Sequence, residues 1–222
     1  MDWVRWHNEY DDPGSALARR LRVVQEQIRA ALERVPAGPV TAVSMCAGQG
    51  RDLIEVLAGH PRRDDVRARL VELDPANVAA ARAAARAAGL DGVEVVAADA
   101  GLVDPYLALA PADLVLACGV FGNIVDEDVE RTVAVCGQLT RAGGTVVWTR
   151  HRRAPDLVPA ICDWFERDGF DRVALTPPEA GFGVGVHRRV RAPEPVVAGV
   201  RMFTFVGAHA LPGGRPRDAL EG

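Results

Sequence analysis

The chain has 222 residues, 49% hydrophobic and 25% charged, with a net charge of -4; this suits one globular domain and excludes a disordered or collagen-like chain. It contains no lysine, so all 26 cationic side chains are arginine, which excludes a Schiff-base lysine and the lysine of a Walker-type phosphate loop. The acidic balance gives no general attraction to nucleic acid or anionic membranes, and no window reaches the roughly 20 apolar residues of a membrane span.

The start, "MDWVRWHNEYDD", is polar and acidic where a secretion signal is basic and then apolar, so a cytoplasmic protein with no membrane partner is expected. Its aromatic side chains Trp3, Trp6, His7 and Tyr10 either fold over a cleft as a lid or anchor the first helix. Tyr10 or Trp6 could then face a bound cation. Residues 15 to 35 read as a helix, with Ser15 as its cap and Leu17, Leu21, Val24, Ile28 and Leu32 on one face. Pro36 and Gly38 end it. Residues 1–36 are thus taken as an N-terminal segment, 37–211 as the main domain and 212–222 as a tail.

From there short apolar runs alternate with helical patterns. Val40 to Met45, Ala68 to Leu73, Val93 to Ala97, Leu114 to Cys118 and Thr145 to Thr149 read as strands. Arg51 to Ala58, Ala76 to Ala88, a stretch near 104 to 110, and 126 to 139 read as helices. This alternation predicts an α/β, doubly wound, mostly parallel sheet with helices on both faces. A helix at Asp156 to Arg167 precedes two further strands, Phe170 to Leu175 and "GFGVGVHRRV", which read as a C-terminal antiparallel hairpin. The apolar run Val200 to Val206 is either one more edge strand or a replacement for one of these two. Cys46, Cys118, Cys136 and Cys162 are widely spaced, so neither a disulfide framework nor a metal site is expected.

The stretch "VSMCAGQGRDL" runs a strand into Gly48-Gln49-Gly50 and then a helix, which lets main-chain N–H groups approach a ligand closely. The third glycine of a dinucleotide fingerprint would stand three positions after Gly50, where Leu53 is found, so a pyrophosphate reader and a nicotinamide oxidoreductase are disfavoured. Glu72 closes the second strand 22 residues after Gly50, where a carboxylate can accept both hydroxyls of a ribose. Asp99, after the third strand, can accept from an exocyclic amine of a base.

At this point the chain resembles the class I methyltransferases that use S-adenosylmethionine, over roughly residues 40 to 190. The resemblance rests on "VSMCAGQGRD", "VELDP", "AADA" and "ADLVLACGVF". It implies the seven-stranded Rossmann-like methyltransferase fold and S-adenosylmethionine as cofactor. Ala47, Gly48 and Gly50 would then lie against its methionine part, Glu72 on the ribose, Leu73 beside the adenine, and Asp99 with Ala100 at the adenine edge. Cys118 and Gly119 would touch the cofactor through their backbone. The sequence departs from the family at Ser44, where an acid is usual, and at Cys46, where a glycine is usual; both align with cofactor-binding positions, and Ser44 can still accept a hydrogen bond from the loop or the cofactor's ammonium. Arg51 can compensate by pairing with the cofactor carboxylate, and Asp52 by meeting its ammonium.

Methyl transfer needs positioning, exclusion of water and, for a poorly ionised acceptor, a base. After the fourth strand, Phe121 is a candidate pocket wall. Asn123 is either an acceptor-orienting residue or a helix cap. After the fifth, His151 is a candidate general base, and Arg150, Arg152 and Arg153 are candidates for binding an anionic substrate or form a solvated turn. The expected partner is a small-molecule methyl acceptor, and a homodimer is left open. The alternatives are an RNA or protein acceptor, supported by "RHRR" and "HRRVR", and a non-catalytic cofactor-binding module. Whether the two basic runs share a face separates the first alternative from the small-molecule reading.

Overall fold

The computed structural model describes residues 10–207 and Leu211. Trp3, Trp6, His7 and the 212–222 tail lie outside them. Helix α1 (Ala16–Arg34) starts where the Ser15 hydroxyl accepts from Ala18 N at 2.9 Å, closing one of the free N–H groups of the first turn. It buries Val24, Ile28, Ala31 and Leu32. At its other end the Arg62 guanidinium donates to the carbonyls of Leu32, Val35, Pro36 and Gly38.

The remaining elements are β1 (Val40–Met45), α2 (Arg51–Ala58), β2 (Val66–Glu72), α3 (Pro75–Ala87), β3 (Val93–Ala97) and β4 (Ala112–Ala117). They continue with α4 (Asp126–Leu139), β5 (Thr140–His151), α5 (Val158–Arg167), β6 (Phe170–Leu175) and β7 (Phe182–Arg189). All seven strands join one sheet in the order β3-β2-β1-β4-β5-β7-β6. The order reverses direction between β1 and β4, and β7 alone runs antiparallel to its neighbours β5 and β6. Strands buried on both faces, such as β4 with all six residues buried, need cover on both sides. Val24, Ile28, Leu53, Leu57, Val78 and Ala81 of α1, α2 and α3 cover one face. Val129, Val133, Ile161 and Phe165 of α4 and α5 cover the other.

The expected fold class and terminal hairpin stand. Two local expectations do not. The helix expected near 104 to 110 is only a 3-10 turn, Asp104–Tyr106, and Pro111 bars the residue before it from continuing a helix. The run Val200 to Val206 joins no ladder and makes one isolated bridge, Leu102 to Arg201. Its side chains Met202 and Phe203 are 0% and 1% exposed, so they pack on the face where that helix was expected.

His187 sits in this core with 0% exposure, stacked on Phe165 at 4.6 Å and accepting from Trp148 Nε1 on its Nδ1 at 3.0 Å. Burial, aided by nearby Arg172, pushes its pKa down to about 3. The unfolded chain binds the proton near 6.5 while the folded one stays neutral, so stability from this residue is complete above that pH and is lost on acidification. Between pH 7 and 5 the loss is about 2 kcal/mol. Urea titrations across that window should show this slope, and His187→Phe should flatten it; an unchanged slope would assign the acid sensitivity to other groups.

Candidate functional site

A cavity of about 510 Å³ opens beyond the carboxyl ends of β1 to β4, at the point where the strand order reverses. Ligands of open α/β sheets bind in such a crevice. Its walls include Cys46, Ala47, Gly48 and Gln49 after β1, Glu72, Leu73 and Asp74 after β2, and Asp99 and Ala100 after β3. Cys118, Gly119 and Asn123 after β4 and Thr149 of β5 complete this side. Tyr10, Arg20, Leu21 and Val24 close the cavity from the N-terminal side, and Phe203 and Phe205 from the C-terminal side.

The loop after β1 turns sharply because Gly48 and Gly50 adopt φ of 56° and 71°. Gly50 does not line the cavity. A Cβ there would meet Ile54 Cδ1 at 2.6 Å and Leu70 Cδ2 at 2.8 Å, so this glycine allows α2 to pack on β2. Cys46 has φ 47°, and among the described residues it is the one non-glycine in the left-handed region. Burial pushes its thiol pKa up, and the nearby Glu72 and Asp99 add to this, so it is no nucleophile at neutral pH. Cys46→Gly should stay within about 1 kcal/mol of the parent stability, whereas Cys46→Val should cost roughly 2 kcal/mol more, since β-branched residues resist this conformation. Equal denaturation midpoints for the two variants would contradict the strain assignment.

Glu72 organises the site. Its Oε2 accepts from Gly48 N at 2.7 Å, and its Oε1 from Leu73 N at 2.9 Å and Asp74 N at 2.8 Å. Asp74 in turn caps α3 by accepting from Ala76 N and Asn77 N. One carboxylate thus joins the glycine loop to the end of β2. Asp99 is likewise fixed, with Oδ1 accepting from Gly101 N at 2.8 Å and Oδ2 from Arg201 Nη1 at 3.0 Å.

At the other end of the cavity stand Asp52 and Arg20. Burial pushes the Asp52 carboxyl up to about 6, although it accepts from Leu53 N at 2.8 Å. Arg20 donates to the Tyr10 hydroxyl, whose pKa is raised by burial against that pull. Arg51 lines the cavity but is already engaged. Its guanidinium pairs with Asp11 at 2.9 Å and Glu55 at 3.1 Å and lies 5.5 Å from the Tyr10 ring centroid. That contact docks the chain before α1 on the start of α2.

Other expected residues fall elsewhere. Ser44 is 1% exposed inside β1, paired in register with Leu70 and Leu116, and does not line the cavity. His151 is outside the cavity wall too: its Cδ2 faces Gly122, its Nδ1 is buried without a partner, and burial next to Arg150 and Arg153 pushes it down to about 4. Phe121 is 0% exposed and packs on Trp148 in the core. Arg150 is buried, donating to the Phe121 carbonyl and pairing with Asp126 at 3.4 Å. Arg152 pairs with Asp156 at 2.8 Å and donates to Thr176 O. Both hold the turn together, and Arg153 alone of the three is exposed. Asn123 lines the cavity, and its Nδ2 donates to Gly119 O at 2.7 Å while the cap of α4 is Val125, so it braces its own loop. Phe203, Phe205 and Arg20 were missed. Arg20 borders the apolar face of α1, and no local pattern in the sequence singles it out.

A doubly wound sheet of this order, with acids after its second and third strands and a glycine loop after its first, has the Rossmann-like methyltransferase fold. The model of the family described as "Putative methyltransferase" matches residues 15–163. The chain belongs to that family. No curated protein matches the sequence significantly. Among solved structures, it is similar to an O-methyltransferase family protein from Burkholderia thailandensis, with TM-score 0.61 and 18% identity over 78% of this chain. This chain spans only 56% of that neighbour's length. It is similar over 85% of its length to 87% of the B. thailandensis 1,6-didemethyltoxoflavin-N1-methyltransferase, solved with bound 1,6-didemethyltoxoflavin and S-adenosylhomocysteine (TM-score 0.60, 20% identity). An RNA methyltransferase from Salinibacter ruber in complex with S-adenosyl-L-homocysteine shares the fold at TM-score 0.53 and 19% identity, over 79% of this chain and 94% of that one. Among the described residues no helix is long and apolar enough to cross a membrane, and no cluster of His, Cys, Asp and Glu could hold a metal.

Proposed function

We propose that the chain methylates a small molecule held in the 510 Å³ cavity. The observation that carries this reading is the convergence in that cavity of Glu72 and Asp99 with an oppositely charged pair, Asp52 and Arg20. Those groups complement a nucleoside with a zwitterionic amino-acid arm. When bound, S-adenosylmethionine supplies a methyl group on a sulfonium, open to in-line attack. Glu72 takes the ribose hydroxyls, Leu73 lies along the adenine, and Asp99 with Ala100 meets its edge. Asp52 faces the ammonium, which offsets the desolvation that raises its pKa. Arg20 replaces Arg51 as the partner of the carboxylate, since Arg51 is spent on Asp11 and Glu55. Cys118 and Gly119 border the site, with Gly119 N donating to Thr149 Oγ1 at 2.8 Å.

Tyr10 and Phe205 line the same cavity, and Asn123 keeps the loop after β4 in place. The residues thus orient the acceptor and exclude water, which is most of what methyl transfer needs. His151 has no part in this proposal. A small acceptor is favoured over RNA because the two basic runs do not share an end of the sheet. Arg150 pairs with Gly183 while Arg188 pairs with Thr145, which separates them by about 16 Å along the strand.

Incubation with methyl-labelled S-adenosylmethionine and separate pools of metabolites and RNA, read by mass spectrometry, tests this directly. Label gained by RNA alone would overturn the acceptor class, and tight cofactor binding with no label in any pool would favour a non-catalytic module. Arg20→Met should weaken S-adenosylhomocysteine binding by roughly 10- to 100-fold, the worth of a charged hydrogen bond, with little change in thermal midpoint. Unchanged affinity would remove Arg20 from the site.

A further inference from the structure

The segment 199–207 crosses the face of the sheet where a helix was expected, and it is tied down along its whole length. Gly199 N donates to Asp104 Oδ2 at 3.0 Å, Val103 N to Val200 O at 3.0 Å and Met202 N to Gly101 O at 2.7 Å. Farther on, Thr204 N donates to Asp128 Oδ2 at 2.9 Å, and Val206 N and Gly207 N both reach Asn123 O. The strap presses so closely on the loop after β3 that a Cβ on Gly101 would lie 2.2 Å from Phe203 O. It therefore bridges the loop carrying Asp99 to the loop carrying Asn123, and its Phe203 and Phe205 line the cavity between them.

We infer that this strap is a working wall of the cofactor site and that Arg201 is a positioning residue that aims Asp99 at the adenine amine. The inference rests on the cofactor placement proposed above. Asp99 has Gly101 N on one oxygen and Arg201 Nη1 on the other, so its carboxylate is held in one orientation while each oxygen keeps a lone pair to accept from a ligand. Arg201 is itself steadied by Phe203 O at 3.3 Å. The pair is about half exposed, at 47% and 43%, and such pairs add little to folding. Its effect belongs to ligand selection.

The test compares S-adenosylhomocysteine with S-inosylhomocysteine, in which a carbonyl replaces the exocyclic amine, by calorimetry on the full chain. The parent protein should prefer the adenosyl compound by roughly 10- to 100-fold, the range for a hydrogen bond to a charged group. Arg201→Ala should cut that preference at least about 5-fold with a thermal midpoint within about 2 °C of the parent, and Arg201→Lys should restore most of it. A preference that survives in Arg201→Ala, whether both affinities hold or fall together, overturns the positioning role. A parent chain that binds neither compound overturns the cofactor placement itself, and the inference with it.

Discussion

Glu72→Ala should weaken S-adenosylhomocysteine binding by about 100-fold or more, the largest expected effect of a single substitution on the site. Two losses combine. The ribose hydroxyls lose their acceptor, and Gly48 N, Leu73 N and Asp74 N lose the carboxylate that now holds them at 2.7 to 2.9 Å. Each hydrogen bond to a charged acceptor is worth about 1.5–3 kcal/mol, and the freed Gly48 amide also lets the glycine loop drift from the shape that fits a ligand. Glu72→Gln sharpens the test. Its amide nitrogen would face backbone donors with a donor of its own, so it should bind almost as poorly as the alanine variant despite its matching size. Calorimetry on both variants checks this, and near-parent affinity in Glu72→Gln would mean that size, not acceptor capacity, matters at this position.

Trp148→Ala should cost about 3–5 kcal/mol of folding stability, the usual range for emptying a large aromatic site in a core. Trp148 is 0% exposed and stacks with Phe165 at 6.2 Å and His187 at 6.0 Å. Its ring is packed so tightly that Gly185 opposite has no room for a Cβ, which would come within 2.2 Å of the indole. Removal also strands His187 Nδ1, whose described donor is the indole N–H. Because total stabilities are commonly about 5–15 kcal/mol, the loss should lower the thermal midpoint by roughly 6–20 °C. Trp148 precedes Thr149, which holds Gly119 N at the cavity wall, so cofactor binding should weaken as well. A midpoint shift below about 3 °C would show that the surrounding side chains collapse into the space.

The parts of the fold that could be read in the sequence were those set by short-range pattern. Apolar runs of five or six residues, such as the one ending at Met45, had to be strands buried on both faces, and Ser15 and Pro36 marked the ends of α1. The glycine loop and the acids Glu72 and Asp99 could be read because each occupies a strand end, and parallel strands bring such ends together. What could not be read depended on contacts between distant segments. Arg201 reaches Asp99 across 102 positions of the chain, and no local pattern announces that. The apolar run around Met202 and Phe203 looks like an edge strand, since its alternation is that of any half-buried extended segment. Arg51 and Arg20 could not be told apart by position either, because Asp11 claims one of them through tertiary docking. Ser44 and His151 show the same limit from the other side: one stays inside its strand, and the other turns away from the cavity at the end of β5.

A crystal structure of the chain with S-adenosylhomocysteine tests the account most directly. One molecule per chain is predicted in the cavity beyond β1 to β4, with its ribose on Glu72, its adenine edge at Asp99 and its carboxylate on Arg20. Ligand density in another cleft, or a ribose that leaves Glu72 on its three backbone amides and donates no hydrogen bond to it, would contradict the account.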